Sequence, residues 1–120
     1  MPPASSPPDK TKGQIEAAVT EALTQFERDY LGRGPKQANS FIIENLVVVK
    51  LQGILSPAER QLSTENGGVE LIKKMRTRLI ESSSEDLSGL VAEETGAEVV
   101  SMHTDISART GERVFVFTLD

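Results

Sequence analysis

His103 and Asp105 stand two residues apart in a stretch with strand-like alternation, so their side chains share one face, with Ser101 and Ser107 flanking them. An imidazole oriented by a carboxylate beside a hydroxyl is the material of a hydrolase or lyase, with His103 as base and Asp105 as its orienter. The surroundings argue against that chemistry. A nucleophilic serine is commonly held on a strand-to-helix elbow beside an oxyanion hole, and no G-x-S-x-G occurs in the chain. A structural or interface histidine is the better reading, so no catalytic residue is assigned and no enzymatic activity is expected. One imidazole and one carboxylate also fall short of a metal site, and neither a metal nor a cofactor is expected.

Two other clusters could meet an anion. Gly32-Arg33-Gly34-Pro35-Lys36 puts two cations and flexible backbone amides at a helix end, a cradle without the spacing of a Walker motif. The plainer reading is that these glycines and the proline make a helix-to-strand turn. Lys73, Lys74, Arg76 and Arg78 crowd one stretch of helix and could face phosphate or an acidic partner, although a solvated face balanced by Glu70 and Glu81 explains them as well. With four Phe, one Tyr and an acidic balance, the chain has no stacking strand for bases, and nucleic acid is the weakest of these partners.

The elements that position these groups come from a chain of 120 residues with 13 basic and 18 acidic side chains, a formal charge of -5. That length suits one domain with an ordinary core. Zero Cys excludes thiol nucleophiles and cysteine metal sites and is compatible with a reducing cytosol. No apolar run reaches the roughly 18 residues of a membrane span, and no leader is recognisable. Residues 1–11, rich in proline and serine, read as a disordered tail, leaving 12–120 as a single domain.

Ile15, Val19, Ala22, Leu23, Phe26 and Tyr30 recur at offsets of three and four and predict an amphipathic helix, with Glu16, Glu21, Glu27 and Arg28 on its solvated side. Phe41 to Ile43 and Leu46 to Leu51 change to strand composition and predict a hairpin turning at Glu44-Asn45. Ser56-Pro57-Ala58-Glu59 is a capping box with proline at the first helical position. Helical periodicity then runs from Gly67-Gly68 to Gly96, and Ser82-Ser83-Ser84 leaves open whether residues 67–95 form one kinked helix or two.

Val99 to Ser107 and Arg113 to Leu119 predict a second hairpin. A three-residue loop at Arg109-Thr110-Gly111 would set Ile106 against Val114, Thr104 against Val116 and Met102 against Thr118. The reverse face would then gather His103, Asp105, Arg113, Phe115, Phe117 and Leu119, to be covered by a helix or by another subunit. The order α-β-β-α-α-β-β implies an α+β two-layer sandwich, a four-stranded antiparallel sheet with helices on one face. We expect a homodimer with Phe115, Phe117 and Leu119 at its interface, placing the two His103 side chains near the axis.

Three blocks of the chain resemble a known family. They are Gln14 to Lys36, with Phe26-Glu27-Arg28-Asp29-Tyr30-Leu31-Gly32-Arg33-Gly34-Pro35-Lys36; Leu51 to Leu62; and His103-Thr104-Asp105-Ile106-Ser107 followed by Thr110 to Phe117. Together they are similar to small bacterial domains named for the MpsC-type component of a Na+-translocating membrane potential-generating system. The resemblance implies an accessory or regulatory partner of membrane transporter subunits implicated in inorganic carbon uptake, acting through protein contacts. It implies a soluble protein, expected in the cytoplasm and peripheral to the inner membrane through its partner; the alternative function, read from the basic residues, is a sensor that binds a small anion or nucleotide phosphate. The resemblance supplies no catalytic residues. Arg33, Lys36, His103, Asp105, Thr110 and Arg113 match the family blocks and stand as candidate ligand-binding positions.

Overall fold

A computed structural model describes residues 10–120, so the expected tail largely lies outside the described residues. Helix α1 (Lys12–Leu31) starts at a capping box in which the Thr11 side chain accepts from the Gln14 N–H and the Gln14 side chain accepts from the Thr11 N–H. It stops at Gly32, whose φ of 87° places it in the left-handed region that closes helix ends. Strands β1 (Gln37–Ile43) and β2 (Leu46–Gln52) form the first hairpin, with Ile43 opposite Leu46 and Glu44 at a positive φ in the two-residue turn. The expected capping box opens α2 (Pro57–Leu62). The serine run divides the remaining helical stretch into α3 (Gly68–Glu81) and α4 (Ser84–Thr95), so residues 67–95 hold two helices. Strands β3 (Val99–Ser107) and β4 (Glu112–Leu119) complete the chain.

All four strands join one antiparallel sheet in the order β1-β2-β4-β3. The helices cover one of its faces, giving the expected α+β architecture. Val47, Val49 and Leu51 of β2 and Phe115 and Phe117 of β4 meet Ile15, Val19, Leu23, Ile72, Ile80, Leu87 and Val91 of the helices in a single core. Helix α1 also shields the β1 edge. Glu16 accepts from the Ile42 N–H at 2.8 Å, which satisfies a group that an open edge would offer to another strand, and Thr20 donates to the Ser40 hydroxyl at 2.7 Å.

The second hairpin corrects the expected register. Ser107 pairs with Glu112, leaving a four-residue loop from Ala108 to Gly111 in place of three residues. Ala108 is drawn into the core, and the loop is closed by the Gly111 N–H donating to the Ser107 carbonyl. Because side chains alternate along a strand, one added loop residue moves a whole strand to the other face. Ile106 therefore lies opposite Arg113, Thr104 opposite Phe115 and Met102 opposite Phe117, all on the helix-covered face. His103 and Asp105 lie opposite Val116 and Val114 on the open face. Phe115 and Phe117, at 1% and 0% exposure, are buried by helices of their own chain and are unavailable to a partner copy, while Leu119 is partly buried against the same core.

Three charged side chains also lie inside. Glu27, expected on the solvated side of α1, is 2% exposed, because it continues the row Ile15, Val19, Leu23 at four-residue steps. Arg76, expected in a solvated basic patch, is buried, as is Arg113.

Candidate functional site

The six candidate ligand-binding residues fall in four places. Arg113 belongs to the core. Its guanidinium donates to the Thr104 hydroxyl at 2.7 Å and to the Arg76 carbonyl at 3.4 Å, and lies 5.6 Å from the centre of the Phe115 ring. Burial lowers its pKa to about 10, against the opposing attraction of Glu27. Arg76 in turn holds Glu59 through two hydrogen bonds, at 2.9 and 2.6 Å, and donates to the Ile54 carbonyl. This chain of contacts ties the α2 cap, α3 and β4 together and is structural in character.

His103 and Asp105 share the open face, as the alternation predicts, but they do not form a catalytic pair. The Asp105 carboxylate accepts from the Ile106 N–H at 2.9 Å and pairs with Lys73 at 3.2 Å. Those two interactions, the backbone hydrogen bond first, hold its carboxyl below the ordinary aspartate range. The His103 side chain is exposed and makes no hydrogen bond among the described residues, so nothing orients its imidazole as a base.

Around that histidine the open face is largely apolar. Register places Phe41, Val48, Val116 and His103 side by side across all four strands, with Ile43 and Leu46 in the next row and Val114 in the one before. Phe41 and Ile43 remain 49% and 54% exposed. Lys50 and Glu112 pair at 3.1 Å on this face, so its charges are matched within the chain.

Lys36 and Thr110 meet in a cleft of about 410 Å³ at the end of the sheet, together with Arg60, Ser63 and Arg109, over a floor of Leu55, Gly53 and Gly111. Two backbone features build it. The Lys36 N–H donates to the Gln52 carbonyl and the Ile54 N–H to the Gly111 carbonyl, which fastens the turn before β1 and the second hairpin loop to the segment that follows β2. Gly53, at φ 68°, lets the Lys36 stem cross it, since a Cβ there would stand 2.8 Å from the Lys36 Cβ. Arg33 lies outside the lining and instead donates to the Leu55 carbonyl at 3.0 Å, bracing the floor. Arg60, Ser63 and Arg109 escaped sequence reading. Arg109 adjoins Thr110 in the loop, but only the fold brings α2 beside it.

A family model described as "Na+-translocating membrane potential-generating system (MpsC)" matches residues 11–120. The chain belongs to this MpsC family. It is 44% identical over 110 residues to the uncharacterized protein YbcI of Bacillus subtilis (strain 168), covering 92% of this chain and 89% of that protein. It is 28% identical over 102 residues to YrhF, an uncharacterized protein of the same organism, covering 83% of each. No solved structure matches the chain. Among the described residues of this MpsC-family chain, no helix is long and apolar enough to cross a membrane, and no group of three or more His, Asp or Glu is placed to hold a metal ion.

Proposed function

We propose that the chain is a non-enzymatic accessory or regulatory domain that works through protein contacts as a homodimer, in the service of the membrane potential-generating system for which its family is named. The observation that supports this reading is the open sheet face, where Phe41, Ile43, Val48, Val114 and Val116 form an apolar patch that no helix of the chain covers. Exposed apolar patches rimmed by polar groups mark interaction surfaces. A second copy suits it in size. Four strands about 4.8 Å apart and at least seven residues long present a surface of about 19 by 24 Å, so two such faces bury roughly 900 Å² before side-chain relief is added, at the low end of specific interfaces.

Charge suits it too. Each chain carries a net charge of -5, but Lys50–Glu112 and Lys73–Asp105 neutralise one another at this face, so two copies meet there without strong repulsion. Light scattering at high micromolar concentration should return twice the 13.0 kDa chain mass. Phe41→Asp should return the single mass. A monomeric parent chain would defeat the dimer, and a dimeric Phe41→Asp would defeat this face as its interface.

A further inference from the structure

We propose that the cleft between α2 and the second hairpin loop binds a small, multiply charged phosphoanion, with Lys36, Arg60 and Arg109 supplying the charge and Ser63 and Thr110 supplying hydroxyl donors. Three cations converge there in a chain whose net charge is -5, and none of the three side chains has an ion pair or hydrogen bond among the described residues. The acids adjacent in sequence do not answer them. Glu59, next to Arg60, is turned inward to Arg76, and Glu112, just after the loop, pairs with Lys50 on the open face. Like charges gathered without a counter-charge raise each other's free energy, and an anion bound among them relieves it.

The lining narrows the chemistry. Three positive charges match a multivalent anion better than a monocarboxylate, and the planar guanidinium forks of Arg60 and Arg109 suit phosphoryl oxygens. About 410 Å³ falls within the range of small-molecule pockets. No aromatic ring lines the cleft, so a nucleobase would find no stacking platform and the phosphoryl groups are the recognised part.

The test is titration calorimetry of the full chain with inorganic pyrophosphate at low salt. The expected result is saturable binding of one pyrophosphate per chain. Arg60→Gln/Arg109→Gln should weaken it about tenfold or more, the scale of one lost charge-assisted hydrogen bond. Lys74→Gln/Arg78→Gln, which removes exposed cations of α3 outside the cleft, should leave it unchanged. Thermal unfolding provides a second reading: pyrophosphate should raise the midpoint of the parent chain more than that of the folded cleft variant at the same concentration. Absence of saturable binding, or equal losses in the two variants, would overturn the site. Binding of a single-stranded oligonucleotide without binding of pyrophosphate would overturn the small-ligand assignment. The outcome is independent of the dimer, because the cleft lies at the sheet end and the proposed interface on its open face.

Discussion

The Glu27 carboxyl of α1 and the Arg113 guanidinium of β4 are buried in one core and coupled through space without a direct hydrogen bond. Glu27 Oε2 and Arg113 Nε each lack a hydrogen-bond partner among the described residues. Burial dominates both groups, raising the Glu27 carboxyl above its ordinary value and lowering the Arg113 guanidinium to about 10, which still leaves the arginine charged at neutral pH. Removing one partner from such a pair strands the other. Arg113→Met should destabilise the fold by on the order of 3 kcal/mol. Glu27→Leu/Arg113→Met should recover most of that loss, giving a coupling energy of about 1–3 kcal/mol in urea unfolding. Strict additivity of the two single changes would show that the charges do not depend on each other.

Acid stability should divide Glu59 from Glu27. Burial opposes ionisation of Glu59, but hydrogen bonds from Arg76 and the Ser56 N–H, with the Arg76 charge, outweigh it and hold the carboxyl below 4.5. An acid depressed on folding stabilises the native state above its unfolded pKa, and that contribution is lost as pH falls through the lower folded value. Glu59→Gln should therefore cost about 1–3 kcal/mol at pH 7 and progressively less below about pH 4.5. Glu27 has the opposite sign. Its raised folded value makes its contribution less favourable as pH climbs above 4.5, so Glu27→Gln should flatten a downward slope of stability in that window. Chemical unfolding across pH 3 to 7 checks both, and parallel curves for the parent and the two variants would contradict the assignments.

The Glu59 contacts also show which features were legible in the chain. The capping box at Ser56 and Glu59, the proline at the first helical position and the Glu44-Asn45 turn are local signals, and the structure carries them unchanged. Helical and strand periods likewise revealed the two-layer sandwich. Parity across the second hairpin was not legible, because Ala108-Arg109-Thr110-Gly111 supports a loop of three or four residues equally well. The choice is made by the core, which takes in Ala108, and by the Ile54 N–H, which holds the Gly111 carbonyl. Glu27 could have been placed inside from its four-residue step beyond Leu23. Arg60 and Arg109 could not have been paired, since no local pattern brings α2 to the hairpin loop.

Deleting Ala108 tests what its burial contributes to the hairpin loop. Ser107 and Glu112 remain joined by Arg109-Thr110-Gly111, and because paired residues share a face whatever the loop length, Phe115 and Phe117 stay inward. The shortened chain loses the buried Ala108 side chain and the four-residue closure by the Gly111 N–H, and should lose about 1–3 kcal/mol while keeping a cooperative unfolding transition. Loss of that transition in urea unfolding would mean that the loop cannot close over three residues and that the pairing slips by one, exposing one strand's buried row.

Gly68 offers a sharper test of how α2 is seated on α3. This glycine opens α3 directly against the end of α2, and a methyl group there would overlap the Leu62 carbonyl. A backbone carbonyl cannot swing away as a side chain can, so the two helices would have to separate. Gly67, its neighbour, has open space around its Cβ direction but a φ of 79°, which strains any L side chain. Gly67→Ala should thus cost about 1–2 kcal/mol from backbone strain alone. Gly68→Ala should cost about 2–3 kcal/mol from overpacking and should in addition weaken the Glu59–Arg76 contact, because Glu59 rides on α2 and Arg76 on α3. Urea unfolding ranks the two variants, and the acid-dependence assigned to Glu59 identifies the second effect. If Gly68→Ala keeps the full acid response of the parent, the clash is absorbed within the α2–α3 turn and the helices stay docked.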